Sequence, residues 1–136
     1  MMVLFVLCPL QTLAEKIITP ATLAGGSIVS VSEAKELLGK AQFYDMRKVI
    51  NFGKGHVPGA VSIPLNSKSE KTENFDVAKD ELDMTKFPQD KKSNLVFYSD
   101  GPYGWKSYKA SVIAIKNGYS NVKWMRDGFE SWTKAG

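Results

Sequence analysis

The chain has 136 residues and a mass of 15.0 kDa, with 43% hydrophobic and 24% charged residues. That is the size and balance of one globular domain, and it excludes a disordered tail, a collagen-like repeat and a multi-span membrane protein. The net charge is +4, and a single cysteine (Cys8) and a single histidine (His56) exclude an intramolecular disulfide, a multi-thiolate zinc site and a metal site built from several histidines.

Met1 to Ala14 (MMVLFVLCPLQTLA) is uncharged and mostly apolar. It is too short to span a bilayer. It reads as the apolar core of a secretory signal without a positive n-region, with Thr12-Leu13-Ala14 as a small-residue cleavage site before Glu15. A periplasmic or secreted location follows from that reading; a packed N-terminal segment and a cytoplasmic location are the alternative. Cys8 sits among apolar neighbours that raise a thiol pKa, so it reads as an inert side chain. Pro20 and Gly25-Gly26 mark a linker. Residues 1–27 are therefore expected to be a signal-like or linker segment, and residues 28–136 the folded domain.

Within that domain Ile28-Val29 reads as a short strand. Ser30 with Glu33 makes a capping box, and the helix it opens runs through Ala34, Leu37 and Leu38 to Gly39. Gln42–Asp45 is a strand, Val49–Lys54 a short helix stopped by Gly55, and Ala60–Ile63 a strand between Pro58-Gly59 and Pro64. Residues 66–93 carry 7 acidic and 6 basic groups and read as a solvated surface excursion with one short helix near Val77–Leu82. Asn94–Tyr98 (NLVFY) is a buried strand. Lys106–Asn117 has apolar residues at helical spacing and ends at Gly118. Val122–Met125 is a strand and Phe129–Lys134 a closing helix. Strands separated by helices predict an α/β domain with a mainly parallel sheet, whose ligands bind beyond the carboxyl ends of the strands.

That rule points to the loop after Tyr98. Ser99-Asp100-Gly101-Pro102-Tyr103-Gly104-Trp105-Lys106-Ser107 joins a buried strand to a helix. Backbone N–H groups at such a helix start converge on one spot and form an anion cradle. Ser99 holds the place of a nucleophile or an anion-contacting hydroxyl, and Lys106 and Ser107 offer further donors. The spacing is not that of a Walker loop. A serine nucleophile needs a base, and His56 is the only histidine; no Gly-x-Ser-x-Gly elbow surrounds Ser99. Asp45 and Arg47 at a strand end read either as catalytic groups or as an ion pair that fixes loop geometry. His56 reads as a structural residue at the Pro58-Gly59 turn. Residues 94–136 hold 6 basic against 3 acidic groups, a mild bias that fits a small anionic ligand; no basic run is long enough for nucleic acid.

Three stretches together resemble a known family. Tyr44-Asp45-Met46-Arg47 with Gly55-His56-Val57-Pro58-Gly59-Ala60-Val61-Ser62-Ile63-Pro64-Leu65 is similar to the first signature of a rhodanese domain. Leu95–Tyr98 and its loop resemble that family's active-site strand and loop. Gly118–Val122 followed by Asp127-Gly128-Phe129-Glu130-Ser131-Trp132 resembles its C-terminal signature.

The resemblance implies a three-layer fold, a mainly parallel sheet between helices. It also implies sulfurtransferase activity without cofactor or metal. A loop cysteine takes sulfane sulfur from an anionic donor such as thiosulfate, becomes a persulfide, and passes the sulfur to cyanide, a thiol or a protein partner. Here the family's cysteine falls on Ser99. One loop variant of the family reads Cys-x-Gly-Pro-x-Cys-Trp-Lys-Ser; Gly101-Pro102 and Trp105-Lys106-Ser107 match it, while Ser99 and Gly104 fill its cysteine positions. A hydroxyl forms no stable persulfide, so the chain as written is expected not to carry sulfur. The loop also lacks the terminal arginine with which related cell-cycle phosphatases hold phosphate. The alternative function is a non-catalytic module on this fold that binds an anion or docks a protein. On either reading the site comprises Ser99 and the loop Asp100–Ser107, with Asp45, Arg47 and His56 in support.

Overall fold

The computed structural model describes residues 16–136. Met1–Ala14, Cys8 and the signal reading attached to them lie outside the described residues. The elements follow in chain order: β1 (Ser27–Ile28), α1 (Val31–Glu36), β2 (Gln42–Asp45), α2 (Val49–Lys54), β3 (Val61–Ser62), β4 (Asn94–Tyr98), α3 (Trp105–Lys116), β5 (Asn121–Met125) and α4 (Gly128–Ala135). Local chemistry sets several boundaries. Ser30 Oγ accepts the Glu33 N–H while the Glu33 carboxylate accepts the Ser30 N–H, which closes the expected capping box on α1. Gly39 has φ +78°, a conformation that lets the chain turn away after α1.

The strands form one five-stranded sheet in the order β1-β5-β4-β2-β3, with every strand pair parallel. This is the α/β, mainly parallel sheet anticipated from the strand–helix alternation. β4 lies at its centre, and Leu95, Val96, Phe97 and Tyr98 are all wholly buried. Burial of each large apolar side chain is worth about 1.5–3 kcal/mol. Alternation along the strands divides the core. Tyr44, Leu95, Phe97 and Trp124 face α3 residues such as Tyr108 and Ala114. Phe43, Val96, Tyr98 and Met125 face Ala34 of α1 and Trp132 of α4.

Two regions differ from expectation. Residues 66–93 are not simply a solvated excursion: Phe75 and Phe87 are buried in the α3-side core. Phe87 stacks on Tyr44 at 4.9 Å between ring centroids. The helix expected near Val77–Leu82 is one 3₁₀ turn, Val77–Lys79, and a second follows at Met84–Lys86. Capping by Asp76 and Asp83 produces these isolated turns, because each carboxylate accepts the N–H two residues on.

The second region is the stretch read as a linker. Thr19 and Leu23 are buried, and the Ile17 carbonyl accepts the Trp105 indole N–H at 2.7 Å. Thr19 donates its backbone N–H (3.0 Å) and its hydroxyl (2.5 Å) to the Pro102 carbonyl. Arg126 Nη2 holds the Thr19 carbonyl at 2.9 Å. Residues 17–19 are thus fastened to the loop that follows β4. No helix among the described residues is long and apolar enough to cross a membrane.

Candidate active site

Ser99 lies directly beyond the carboxyl end of β4, at the central position of the sheet. Its hydroxyl oxygen accepts the Ser107 backbone N–H at 3.0 Å, so Oγ is seated on the first turn of α3, the positive end of the helix. Gly104 precedes that helix and donates its N–H to the Gly101 carbonyl at 2.8 Å, which closes the loop into a tight turn. A side-chain carbon at position 104 would lie 2.6 Å from Ser99 Cβ. Glycine therefore lets the loop pass directly over the serine.

The loop is clamped from behind by α4. Phe129 and Glu130 donate their N–H groups to the carbonyls of Ser99 (2.9 Å) and Asp100 (3.0 Å). Gly128, at φ +72°, makes this approach possible, because a Cβ there would meet Asp100 backbone atoms at 2.4 Å.

A cleft of about 460 Å³ opens over Ser99. Asp100, Tyr103, Gly104, Trp105 and Lys106 line it from the loop and helix start, and Arg47 lines it from β2's end. Gly101 and Pro102 line a second pocket with Lys16 and Glu130, which shares Asp100, Tyr103 and Gly104 with the cleft. The Ser107 hydroxyl is committed, donating to the Gly104 carbonyl (3.2 Å) and accepting the Trp124 indole N–H (2.9 Å). Ser107 reaches Ser99 with its main chain and not its side chain.

Asp45 and Arg47 form a buried bidentate pair, with Nε–Oδ1 at 3.0 Å and Nη2–Oδ2 at 2.7 Å. Arg47 Nη2 also donates to the Gly55 carbonyl at 2.7 Å, and its guanidinium lies 4.3 Å from the Phe129 ring centroid. Tyr98 donates its O–H to Asp45 Oδ2 (2.8 Å) and accepts the Val57 N–H (3.0 Å). Burial pushes the Tyr98 phenol up, with Asp45 adding to the rise against the lowering by Val57 N–H and Arg47, so it stays a proton donor. Arg47 Nη1 approaches the exposed Asp100 carboxylate at 3.9 Å. This network joins the ends of β2, α2 and β4 to the loop.

His56 is exposed, stacks on Phe52 at 3.7 Å, and holds the Phe52 carbonyl through Nδ1 at 2.8 Å. It caps the end of α2, outside the cleft, and a Ser99–His56 dyad has no geometric support. Among the described residues no three His, Cys, Asp and Glu side chains gather as a metal site.

The cleft contains residues that the sequence did not single out: Ser67, Ser69 and Lys71 from the excursion, and Lys109 from α3. Lys109 is 1% exposed. A charged residue within Tyr108–Ala114, a run apolar apart from it and Ser111, is the signal that could have flagged it.

Comparison with known proteins gives one result at the family level: a family model described as "Rhodanese-like domain" matches residues 30–135. A human thiosulfate:glutathione sulfurtransferase is 26% identical over 112 residues, which is 81% of this chain and 96% of that protein. The structure of the human single-domain sulfurtransferase TSTD1 superposes with TM-score 0.55 at 22% identity, covering 80% of this chain and 96% of that one. The solution structure of a rhodanese-like domain from the Anabaena protein Alr3790 gives TM-score 0.59 at 17% identity over 79% and 74% of the two chains.

Proposed function

The chain belongs to the rhodanese-like domain family, and on that premise we propose that its cleft is a sulfane-sulfur site in which Ser99 stands where the sulfur carrier would stand. The observation that carries this reading is the seat of Ser99 Oγ, 3.0 Å from the Ser107 N–H at the start of α3. A thiolate at that atom would be stabilised by the helix end and by N–H donation, which lowers its pKa and makes it nucleophilic at neutral pH. It would attack the outer sulfur of a thiosulfate-type donor. The S–S bond would break, and sulfite would leave with the bonding pair. An acceptor such as cyanide or a thiol would then take the outer sulfur, returning the electron pair to the thiolate. The name of the human relative supports thiosulfate as the donor class and a small thiol as the acceptor class.

A hydroxyl keeps the shape of this site and loses the chemistry. It remains protonated at neutral pH, and an oxygen–sulfur linkage is not a persulfide. The chain as it stands therefore binds the anion and does not turn it over. Ser99→Cys tests this. The variant is expected to form thiocyanate from thiosulfate and cyanide, while the unsubstituted chain stays at the uncatalysed background, because only the thiolate is an activated nucleophile. A folded Ser99→Cys protein without that activity overturns the reading.

A further inference from the structure

Lys109 is a buried cation with no counter-ion among the described residues. It lies on the Lys106 face of α3, three residues on, and its side chain lines the cleft that contains Ser99. Nζ donates to Ser67 Oγ at 2.8 Å and to the Ser69 carbonyl at 3.0 Å, both neutral acceptors. An ammonium has three donors. Among the described residues no hydrogen-bond acceptor takes the third and no carboxylate pairs with the charge; the further contact is the face of Phe75, its ring centroid 5.5 Å from Nζ.

The carboxylate that influences it, Asp80, is engaged elsewhere. It accepts the Lys68 N–H (2.7 Å), the Ser69 N–H (2.9 Å) and the Ser69 hydroxyl (2.6 Å). Burial pushes the Lys109 ammonium down, Asp80 opposes that, and Lys71 adds to it. Burying an ammonium without an anionic partner is costly, so a position of this kind calls for an anion. The cleft supplies room for one, and its lining has five Lys and Arg side chains against one carboxylate, Asp100. Arg47 meets the need less well, because the buried Asp45 carboxylate balances its charge and Asp45 and Gly55 hold its Nε and Nη2 donors, which leaves Nη1 at 3.9 Å from Asp100.

Resting on the sulfane-sulfur reading of the same cleft, we propose that Lys109 is its anion-binding, specificity-determining residue. Its third N–H and its charge meet the anionic group of the sulfur-bearing ligand, while Ser67 and Ser69 hold the ammonium in place. The cleft then selects thiosulfonate-type anions over neutral disulfides and polysulfides. Segment 67–71 becomes part of the recognition surface, because it fixes the residue that reads the charge.

Thiosulfate binding to the unsubstituted full chain tests this, since Ser99 leaves the ligand unconsumed. The readout is Trp105 fluorescence at constant ionic strength, so that general screening is held fixed. Lys109→Gln is expected to raise the Kd at least tenfold, and Lys106→Gln, which removes the same charge from the same cleft, less than threefold. Equal effects of the two substitutions, or none at Lys109, overturn the proposal, as does absence of saturable binding. Should Lys109→Gln fail to fold, the Lys109 side-chain NMR signal of the unsubstituted chain decides. Its titration is expected to move to higher pH with thiosulfate, and an unmoved titration rejects the assignment. Inactive Ser99→Cys with Lys109-dependent binding would remove the sulfur-transfer reading alone. Active Ser99→Cys with Lys109-independent binding would remove this proposal alone.

Discussion

β2 and β4 lie side by side in the sheet and end in opposite chemistry. β2 runs into Asp45 and Arg47, where an ion pair, a phenol and two backbone groups satisfy one another in the interior. β4 runs into Ser99, whose oxygen rests on a helix start and borders an open cleft. The charged strand end is a brace, and the neutral strand end borders the cleft proposed as the site. A charged motif at a strand end attracts attention as catalytic chemistry, yet here its charges face each other. The proposed carrier position is marked by backbone geometry, with no charged side chain of its own.

The comparison can be broken most forcefully at the brace. Arg47→Leu leaves the Asp45 carboxylate buried without its cation, and urea unfolding should show a loss of about 3–5 kcal/mol. A loss under about 1 kcal/mol would mean that the pair is not structural. Tyr98→Phe removes the donor to Asp45 and the acceptor for Val57 N–H together, with an expected cost of about 1–3 kcal/mol in the same measurement. At the open end the contrast sharpens: Ser99→Cys should change stability by less than about 1 kcal/mol while it changes function.

The smallest effect concerns acid. Burial pushes the Asp80 carboxyl up, but hydrogen bonds from the Ser69 side chain and the Ser69 and Lys68 N–H groups, with Lys109 nearby, outweigh it and hold the group below the ordinary carboxylate range. A depressed carboxyl stabilises the fold above its unfolded pKa and loses that contribution as pH falls through the lowered folded value. Asp80→Asn should therefore flatten the acid limb of a stability–pH curve, read by thermal melts at a series of pH values. An unchanged limb would show that segment 67–69 does not depend on this carboxylate.

Much of the framework was legible because its signals are local. Ser30 with Glu33, Gly39, Gly55 and Gly118 punctuate the chain, and NLVFY announces a buried strand. The excursion was less legible. Phe75 and Phe87 are single aromatics in a polar stretch, at neither helical nor strand spacing, and only the tertiary fold shows that they cover the core. Lys109 was hidden for a related reason: in a helix a lysine reads as a surface residue, and its burial depends on Ser67 and Ser69, some forty positions away in the chain. The loop 99–107 stood out through its glycines and proline. Which face each residue presents is not legible from the sequence: Gly101 and Pro102 line the second pocket, and Ser107 reaches Ser99 through its N–H.

The fastening of residues 17–19 has a practical consequence for anyone who cuts or tags this chain. A fragment starting at residue 27 keeps all five strands and every helix. It discards the hooks on the Pro102 carbonyl and the Trp105 indole. Such a fragment also loses the buried Leu23 from the α3-side core, so a weakened ligand affinity in it would mix lost stability with a lost loop anchor. A fusion joined at residue 16 would sit beside Tyr103, whose ring lies 5.8 Å from Lys16 Nζ and which lines both the cleft and the second pocket. Handles for purification or immobilisation belong after α4, at the opposite end of the sequence.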